Sequence, residues 1–317
     1  MNSSSFQRDT TTLFNKLKYL LLLLGGVFLL FSCEKKNSIR LVDLQNQALP
    51  VGYLRTPKVF NELKDQKGVI FLSLSIPRRI VLSAPGYFLY EKMIGLLEKN
   101  PFKNSFWAKS YEDIMSGFNH KKTVFVLGIQ GLRDFEKKLN NLNLLLDKGV
   151  MMVSLVHSGA NAFAASWNAG FDFGLSPKGK NLVKTLIKKR ILIDISHASE
   201  YTVKHIYEIT RGKYPLIASH SNVYSVTPHL RNLKDDQIKK IIKSNGLIGI
   251  CFHKPMLKVK GQNYFEAVYR HLEAIIALGG EKNIAIGSDL HGADHPEKLK
   301  SYEDVSKLID FLKKKGY

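Results

Sequence analysis

Short apolar runs alternate along the chain with longer amphipathic stretches. The runs are rich in Val, Ile and Leu and nearly continuous, a pattern typical of parallel strands that are buried on both faces. Eight such runs are found, at 39–44, 69–74, 123–129, 151–156, 191–195, 216–218, 247–252 and 284–286.

Helix-like segments separate most of these runs and follow the last one: 132–147, 179–189, 200–210, 235–243 and 302–315. Eight strands with intervening crossovers and a closing helix predict an α/β chain folded as a (β/α)8 TIM-type barrel. A doubly wound open sheet is the alternative, but no Gly-rich phosphate loop follows the first run. Because no linker divides the chain, the barrel domain is predicted to cover residues 40–317.

The N-terminus has the pattern of an export signal. Three basic residues precede the apolar run 19–31, which is short for a membrane span and suits a signal peptide. The run ends in Leu-Phe-Ser-Cys and resembles a bacterial lipobox, so residues 1–32 are expected to be removed and Cys33 lipidated. An uncleaved membrane anchor is the alternative. Both readings put the domain outside the cytoplasm in a bacterial cell envelope, with 33–39 as its membrane tether.

Composition narrows the possible partners. A net charge of +20 would suit nucleic acid, but no segment alternates basic and aromatic residues, so nucleic acid is not expected as a partner. A solvated Lys-rich surface near anionic lipid accounts for the charge. The only cysteines, Cys33 and Cys251, exclude a disulfide scaffold and a Cys-rich zinc module.

Polar residues lie at or just after the ends of the predicted strands, where a barrel gathers them at one mouth. Imidazoles together with carboxylates are a familiar ligand set for zinc, whereas a purely structural polar mouth is the alternative. The residues are Asp43, Gln45, Gln47, Gln130, His157, His197, His220, His253, Asp289 and His291.

At these residues the sequence resembles the membrane dipeptidase (renal dipeptidase) family of zinc metallopeptidases. The resemblance implies a barrel of the metal-dependent hydrolase kind, two zinc ions bridged by a carboxylate and a water, and hydrolysis of dipeptides. The stretches that carry it are VDLQNQALP (42–50), LGIQG (127–131), SLVHSGANAFAASW (154–167), DISHAS (194–199), SHSN (219–222), LRN (230–232) and IGSDLHG (286–292).

The resemblance assigns roles to five residues that this chain retains. His197 and His220 match the histidines of the second metal, and His157 matches the histidine that contacts the substrate and the tetrahedral intermediate. Arg231 matches the arginine for the substrate carboxylate, and Asp289 matches the catalytic aspartate beside the attacking water.

The first metal site of the family is replaced by glutamine. Gln45 and Gln47 stand at the family's His-x-Asp positions, and Gln130 stands at the bridging glutamate. An amide oxygen is a neutral, weak zinc ligand. Two carboxylates have become amides, and this loss of negative charge balances the loss of one divalent ion.

At most one zinc ion is therefore expected. His197 and His220 would bind it, with Asp289 or His291 as a third ligand, since three protein ligands and a water make a catalytic zinc site. His291 itself replaces a second aspartate of the family. Asp194, which begins Asp-x-Ser-His, is expected to form hydrogen bonds near His197.

The sequence thus predicts a catalytically impaired, dipeptidase-like lipoprotein that takes a dipeptide or small peptide. One alternative is a fully working zinc dipeptidase. Another is a non-catalytic lipoprotein in which the Arg231 fork holds a peptide or amino-acid carboxylate. Metal content separates the three: two ions for the working enzyme, one for the impaired enzyme and none for the binder.

Overall fold

The computed structural model describes most of the predicted domain. The predicted signal peptide, Cys33 and Gln47 lie outside the described residues, and Gln45 is described only as part of a strand. No helix in the described part is long and apolar enough to cross a membrane. The described residues are 41–46, 68–74, 90–91, 94–95, 98, 105–120, 122–257 and 263–317.

One sheet of nine strands organises the described residues. Eight of the strands correspond to the eight predicted runs. The ninth strand, β3, has four residues and was not predicted from the sequence. The strands are β1 (Leu41–Asn46), β2 (Gly68–Leu74), β3 (Ser105–Ala108), β4 (Thr123–Gln130), β5 (Val150–Ser154), β6 (Leu192–Asp194), β7 (Leu216–Ala218), β8 (Leu247–Ile250) and β9 (Ile284–Ile286).

Every pairing in this sheet is parallel, and the strands follow one another in the order β2-β1-β9-β8-β7-β6-β5-β4-β3. β2 also pairs with β4, so the sheet curls back on itself. β3 pairs with the first half of β4 and β5 with its second half. Eight curled parallel strands with helices between them are consistent with the (β/α)8 barrel that the sequence predicts.

Helices connect the strands, and five of them match predicted segments. The segment 132–147 begins with a 3-10 turn, Arg133–Phe135, so its α-helix starts later than predicted. The helices are α1 (Tyr111–Asn119), α2 (Leu139–Asp147), α3 (Pro177–Lys188), α4 (Glu200–Thr210), α5 (Asp235–Lys243), α6 (Lys254–Leu257), α7 (Tyr264–Ala277) and α8 (Tyr302–Lys314).

Serine side chains start three of these helices. Ser176 accepts a hydrogen bond from the Gly179 amide at α3, where Pro177 occupies the first turn. Ser199 and Ser301 cap α4 and α8 in the same way. Such caps satisfy backbone N–H groups that the helix leaves without partners, and each contributes about 1 kcal/mol.

Alternating strand residues pack into two separate apolar clusters. In β4, Val124 and Val126 face one cluster, whereas Phe125 and Leu127 face the other. The smaller cluster takes residues from β1, β3 to β9 and is the interior enclosed by the curled sheet. The larger cluster joins the outer faces of the strands to the helices. This burial on both faces explains why the apolar runs are continuous.

Two glycines bring the carboxyl ends of β7, β8 and β9 together. A Cβ atom added at Gly249 or Gly287 would overlap the carbonyl oxygen of Ser219. These strand ends therefore approach more closely than any residue with a side chain would allow. The close approach fixes the backbone at Ser219, immediately before His220.

Candidate metal and substrate site

Four polar side chains meet at the carboxyl ends of the central strands. The Nε2 atoms of His197 and His220 lie 2.9 Å apart. The Gln130 amide nitrogen lies 2.9 Å from the His197 Nε2 and 3.1 Å from the His220 Nε2. Arg231 Nη2 lies 3.1 Å from the His197 Nε2. The structure thus gathers residues from β4, from the segments after β6 and β7, and from the loop before α5.

His157 adjoins this cluster. Its ring centroid lies 4.4 Å from that of His197, which in turn lies 4.9 Å from that of His220. The loop that follows β5 also contacts the backbone of His197, because the Trp167 amide donates to the His197 carbonyl oxygen at 3.0 Å. Three imidazoles therefore stand side by side along the edge of the sheet.

Local hydrogen bonds hold Arg231 in the site. Its backbone amide donates to His229 Nδ1 at 3.1 Å. The neighbouring Asn232 side chain donates to the carbonyl oxygens of Thr227 and Met256, both at 2.8 Å, which anchors the Leu-Arg-Asn turn. Arg231 is buried, and its Nη1 has no hydrogen-bond partner among the described residues. A buried guanidinium with an unused edge is suited to a carboxylate.

The two histidines are held in their neutral form. Burial, and next the Arg231 charge, lower the pKa of His197 well below its ordinary value. The same two causes, in the same order, lower the pKa of His220 well below its ordinary value. Arg231 can only donate, so the His197 Nε2 that faces it must accept. A neutral imidazole with a free ring nitrogen is the form that binds a metal.

The chemistry of these donors fits zinc. Two nitrogen ligands of a tetrahedral zinc, with bonds of about 2.0–2.1 Å, lie about 3.3–3.4 Å apart. The His197 and His220 Nε2 atoms, at 2.9 Å, would need to separate only slightly to reach this spacing. Gln130 could rotate its amide to offer the oxygen as a third, neutral ligand.

The expected third ligand from Asp289 or His291 stays a prediction. In the described part of the chain, no three His, Cys, Asp or Glu side chains are grouped closely enough to hold a metal. In the turn after β9, Asp289 and His291 both adopt left-handed backbone conformations, with φ of 54° and 69°. Burial, and next the charge of His295, lower the pKa of His291. Backbone strain of this kind is concentrated at functional sites.

Asp43 and His253, two other polar strand ends, make structural bonds outside the cluster. Asp43 accepts from the Ser288 amide at 2.9 Å and from the Tyr302 hydroxyl at 2.8 Å, which ties β1 to β9 and α8. His253 is half-buried, and its Nδ1 lies 3.2 Å from the Asp294 carbonyl oxygen. Cys251 is a buried free thiol, and burial raises its pKa to about 12, consistent with a packing role.

A cavity beside Arg231 was not predicted from the sequence. It has a volume of about 270 Å³, and Trp167, Tyr201, Tyr224 and Leu230 contribute to its lining. These residues come from two separate loops and one helix, so no local motif joins them. One feature of the sequence pointed to this cavity. Trp167 ends the motif at 154–167 and Leu230 begins the motif at 230–232, both of which were identified for other residues.

Comparison with known proteins identifies the family to which this fold and site belong. The sequence model of the membrane dipeptidase family (Peptidase family M19) matches residues 92–317. An uncharacterized dipeptidase of Schizosaccharomyces pombe is 30% identical over 63% of this chain and 49% of its own length. The Aspergillus oryzae dipeptidase aclJ is 28% identical over 65% of this chain and 49% of its own length. The chain spans about half the length of these two relatives.

A solved structure shares the fold. The crystal structure of a metallopeptidase from Rhodobacter sphaeroides, liganded with a phosphinate mimic of the dipeptide L-Ala-D-Ala, aligns with a TM-score of 0.77. The alignment covers 89% of this chain and 94% of that one at 21% identity. The chain belongs to the membrane dipeptidase family, peptidase family M19, whose members are metal-dependent dipeptidases. The family resemblance drawn from the sequence is confirmed.

Proposed function

We propose that this protein is a dipeptidase-like metallopeptidase, built on a metal-dependent hydrolase barrel, that binds at most one zinc ion and is catalytically impaired. One observation carries the proposal. The Nε2 atoms of His197 and His220 converge on a point where the third group is the Gln130 amide instead of a carboxylate.

The nature of Gln130 agrees with a site that has lost an ion. Its amide nitrogen carries two hydrogens and lies within hydrogen-bond distance of both histidine nitrogens. A glutamate there would place a negative oxygen against two buried lone pairs unless cations lay between them. Glutamine is therefore compatible with a site containing one ion or none, whereas a glutamate would need a metal ion or a protonated histidine beside it.

Each of the five polar residues matched to the family has a role in this proposal. His197 and His220 hold the zinc, which when bound would supply an acidified water and polarise the scissile carbonyl. Arg231 binds the dipeptide carboxylate through the edge of its guanidinium. His157, beside His197, contacts the group that becomes tetrahedral, and Asp289 accepts the proton of the attacking water.

The substrate class rests on the family and on the liganded neighbour. The Rhodobacter sphaeroides metallopeptidase holds a dipeptide mimic, and this chain keeps a buried arginine of suitable chemistry. Impairment follows because the groups of a catalytic site act as a unit, and losing some of them costs several orders of magnitude in rate.

Zinc content and dipeptide hydrolysis, measured on the same sample of the full-length chain, test the proposal. We expect a zinc-to-protein ratio near or below one after dialysis, and slow hydrolysis of L-Ala-D-Ala that chelation abolishes. A His197→Gln, His220→Gln variant should lose both zinc and hydrolysis. A stable ratio of two with rapid turnover would instead establish a fully working dipeptidase.

A non-catalytic carboxylate-binding protein is the second candidate. It is favoured by the buried Nη1 of Arg231, which has no partner among the described residues and would donate to a peptide carboxylate with or without metal. No bound zinc, together with retained affinity for L-Ala-D-Ala, would select this candidate.

The membrane location is a separate proposal that rests on Cys33. The lipobox pattern predicts a mature N-terminus at a lipidated Cys33, so the protein should partition into detergent. Mass spectrometry of the mature N-terminal peptide measures this directly. An unmodified Cys33 within a retained leader would contradict it, and a Cys33→Ser variant should lose the lipid mass.

A further inference from the structure

Asp194, the last residue of β6, is the centre of a buried hydrogen-bond network behind the histidine pair. Its Oδ1 accepts from the Ser196 amide at 3.0 Å, the Ser196 hydroxyl at 2.7 Å and the Ser219 amide at 3.0 Å. Its Oδ2 accepts from the Ser219 hydroxyl at 2.8 Å. Asp194 touches neither His197 nor His220 through these bonds, so any effect on the histidines passes through the serines.

Ser219 links this carboxylate to His220. The Ser219 hydroxyl oxygen lies 2.7 Å from the His220 Nδ1, on the side of the ring away from the site. A serine hydroxyl has one hydrogen, and a carboxylate can only accept. If Ser219 donates that hydrogen to Asp194, its oxygen must accept from His220, and the Nδ1 must carry the imidazole proton.

The opposite assignment is costly. If Ser219 donated to the His220 Nδ1, its oxygen would face the Asp194 Oδ2 with a lone pair at 2.8 Å. Both residues are buried, and a buried acceptor left without its hydrogen is destabilising, more so when it is charged. Ser196 cannot supply that hydrogen, because its hydroxyl donates to Oδ1 and accepts from the His220 amide at 3.0 Å.

We propose that Asp194, acting through the Ser219 hydroxyl, holds His220 in the Nδ1–H tautomer and so keeps the Nε2 lone pair facing His197 and Gln130. Asp194 and Ser219 are positioning residues: they contact neither substrate nor the metal position. In the metal-free chain this relay from Asp194 through Ser219 to His220 competes with one other bond, from a His220 Nε2–H to the His197 Nε2 at 2.9 Å. That bond joins two neutral groups, whereas the relay satisfies the buried Asp194 charge, so the relay decides the tautomer. Its effect on zinc affinity rests on the proposed function, in which His220 is a ligand.

Asp194→Asn is the sharpest test, because it reverses one bond and keeps three. The asparagine oxygen takes the Oδ1 position, where three donors meet, so the amide nitrogen faces the Ser219 hydroxyl. Ser219 must then accept from Asn and donate to the His220 Nδ1, which moves the ring proton to Nε2. A carboxylate-to-amide change that imposes the wrong tautomer is known to disable a catalytic histidine.

Long-range ¹H–¹⁵N correlation spectra of the metal-free full-length chain, labelled at histidine, report the tautomer without any activity. The His220 signals are assigned by their loss in His220→Gln. We expect the Nδ1–H pattern in the wild type, the Nε2–H pattern in Asp194→Asn and a mixture in Ser219→Ala. Ser221→Ala is the matched control. The Ser221 hydroxyl, two residues after Ser219, is buried and has no partner among the described residues, so its removal should leave the pattern unchanged.

Zinc affinity, titrated on the same variants, gives the second readout. Asp194→Asn and Ser219→Ala should weaken zinc binding about 10- to 100-fold, and Ser221→Ala should not. A wild type with the proton on Nε2, or an Asp194→Asn variant that keeps it on Nδ1, would overturn the relay, and the wild-type spectrum decides even if a variant fails to fold. A reversed tautomer with unchanged zinc affinity would support the relay and refute His220 as a zinc ligand, which is a failure of the proposed function.

Discussion

Restoring the family residues at the three glutamines, by Gln45→His, Gln47→Asp and Gln130→Glu, should raise zinc-dependent hydrolysis of simple dipeptides by roughly 10³- to 10⁶-fold. The change returns one imidazole and two carboxylates to the ends of β1 and β4. Gln130 already lies 2.9 and 3.1 Å from the two histidine nitrogens. A glutamate there would bring a carboxylate oxygen to the point where a bridge between ions about 3.5–4 Å apart is required.

The measurement pairs zinc content with the initial rate for L-Ala-D-Ala in wild type and triple variant. Zinc should rise from near one to two ions per chain. Asn263→Asp is the control, because it adds a carboxylate in place of an amide whose oxygen accepts from the Phe265 amide at 2.9 Å, at the start of α7. Two bound ions without a gain in rate would refute the view that these glutamines limit the rate of hydrolysis. The result would point instead to His291, which replaces a second aspartate of the family after the last strand. High wild-type activity would show that one ion suffices.

The strands were predictable because burial on both faces leaves a continuous apolar run. The run at 123–129 illustrates this: the structure extends it by one residue to Gln130, and all eight strand residues are buried. β3 escaped prediction because its four residues, Ser-Phe-Trp-Ala, are too few to show a period. The start of α2 was misplaced because the apolar periodicity continues through the 3-10 turn at Arg133–Phe135.

The gathering of His157, His197 and His220 at one edge was predictable, since parallel strands present their carboxyl ends together. Which strand-end residues take part was not. Asp43 stands at such an end but accepts from Ser288 and Tyr302, and Tyr302 is more than two hundred residues away along the chain. A sequence pattern gives the strand on which a side chain lies, whereas its hydrogen-bond partners depend on contacts between distant segments.

The direction of a hydrogen bond is even harder to predict from the sequence than its partners. The motifs at 194–199 and 219–222 contain Asp194 and Ser219, but neither motif shows that the two side chains meet across β6 and β7. That contact depends on the close approach of β7, β8 and β9, which Gly249 and Gly287 permit at Ser219. Small residues outside the site therefore decide the geometry of the groups inside it.

Arg231→Lys should weaken the binding of a phosphinate mimic of L-Ala-D-Ala by about 10- to 150-fold. A lysine keeps the positive charge but loses the planar fork, and one lost hydrogen bond to a charged group is worth about 1.5–3 kcal/mol. The phosphinate is not hydrolysed, so titration calorimetry measures binding even in an impaired enzyme. Zinc content should not change, because a guanidinium only donates and cannot be a ligand.

Arg133→Lys is the matched control for this prediction. Arg133 Nη2 donates to the carbonyl oxygen of Ala160 at 2.8 Å, so the same substitution there removes a guanidinium whose hydrogen bonds to the described residues are all to backbone. Its affinity for the phosphinate should equal that of the wild type. Unchanged affinity in Arg231→Lys, or an equal loss in both variants, would contradict a carboxylate-binding role for Arg231. The unused edge of its guanidinium, buried beside His197, would then need another anion to explain it.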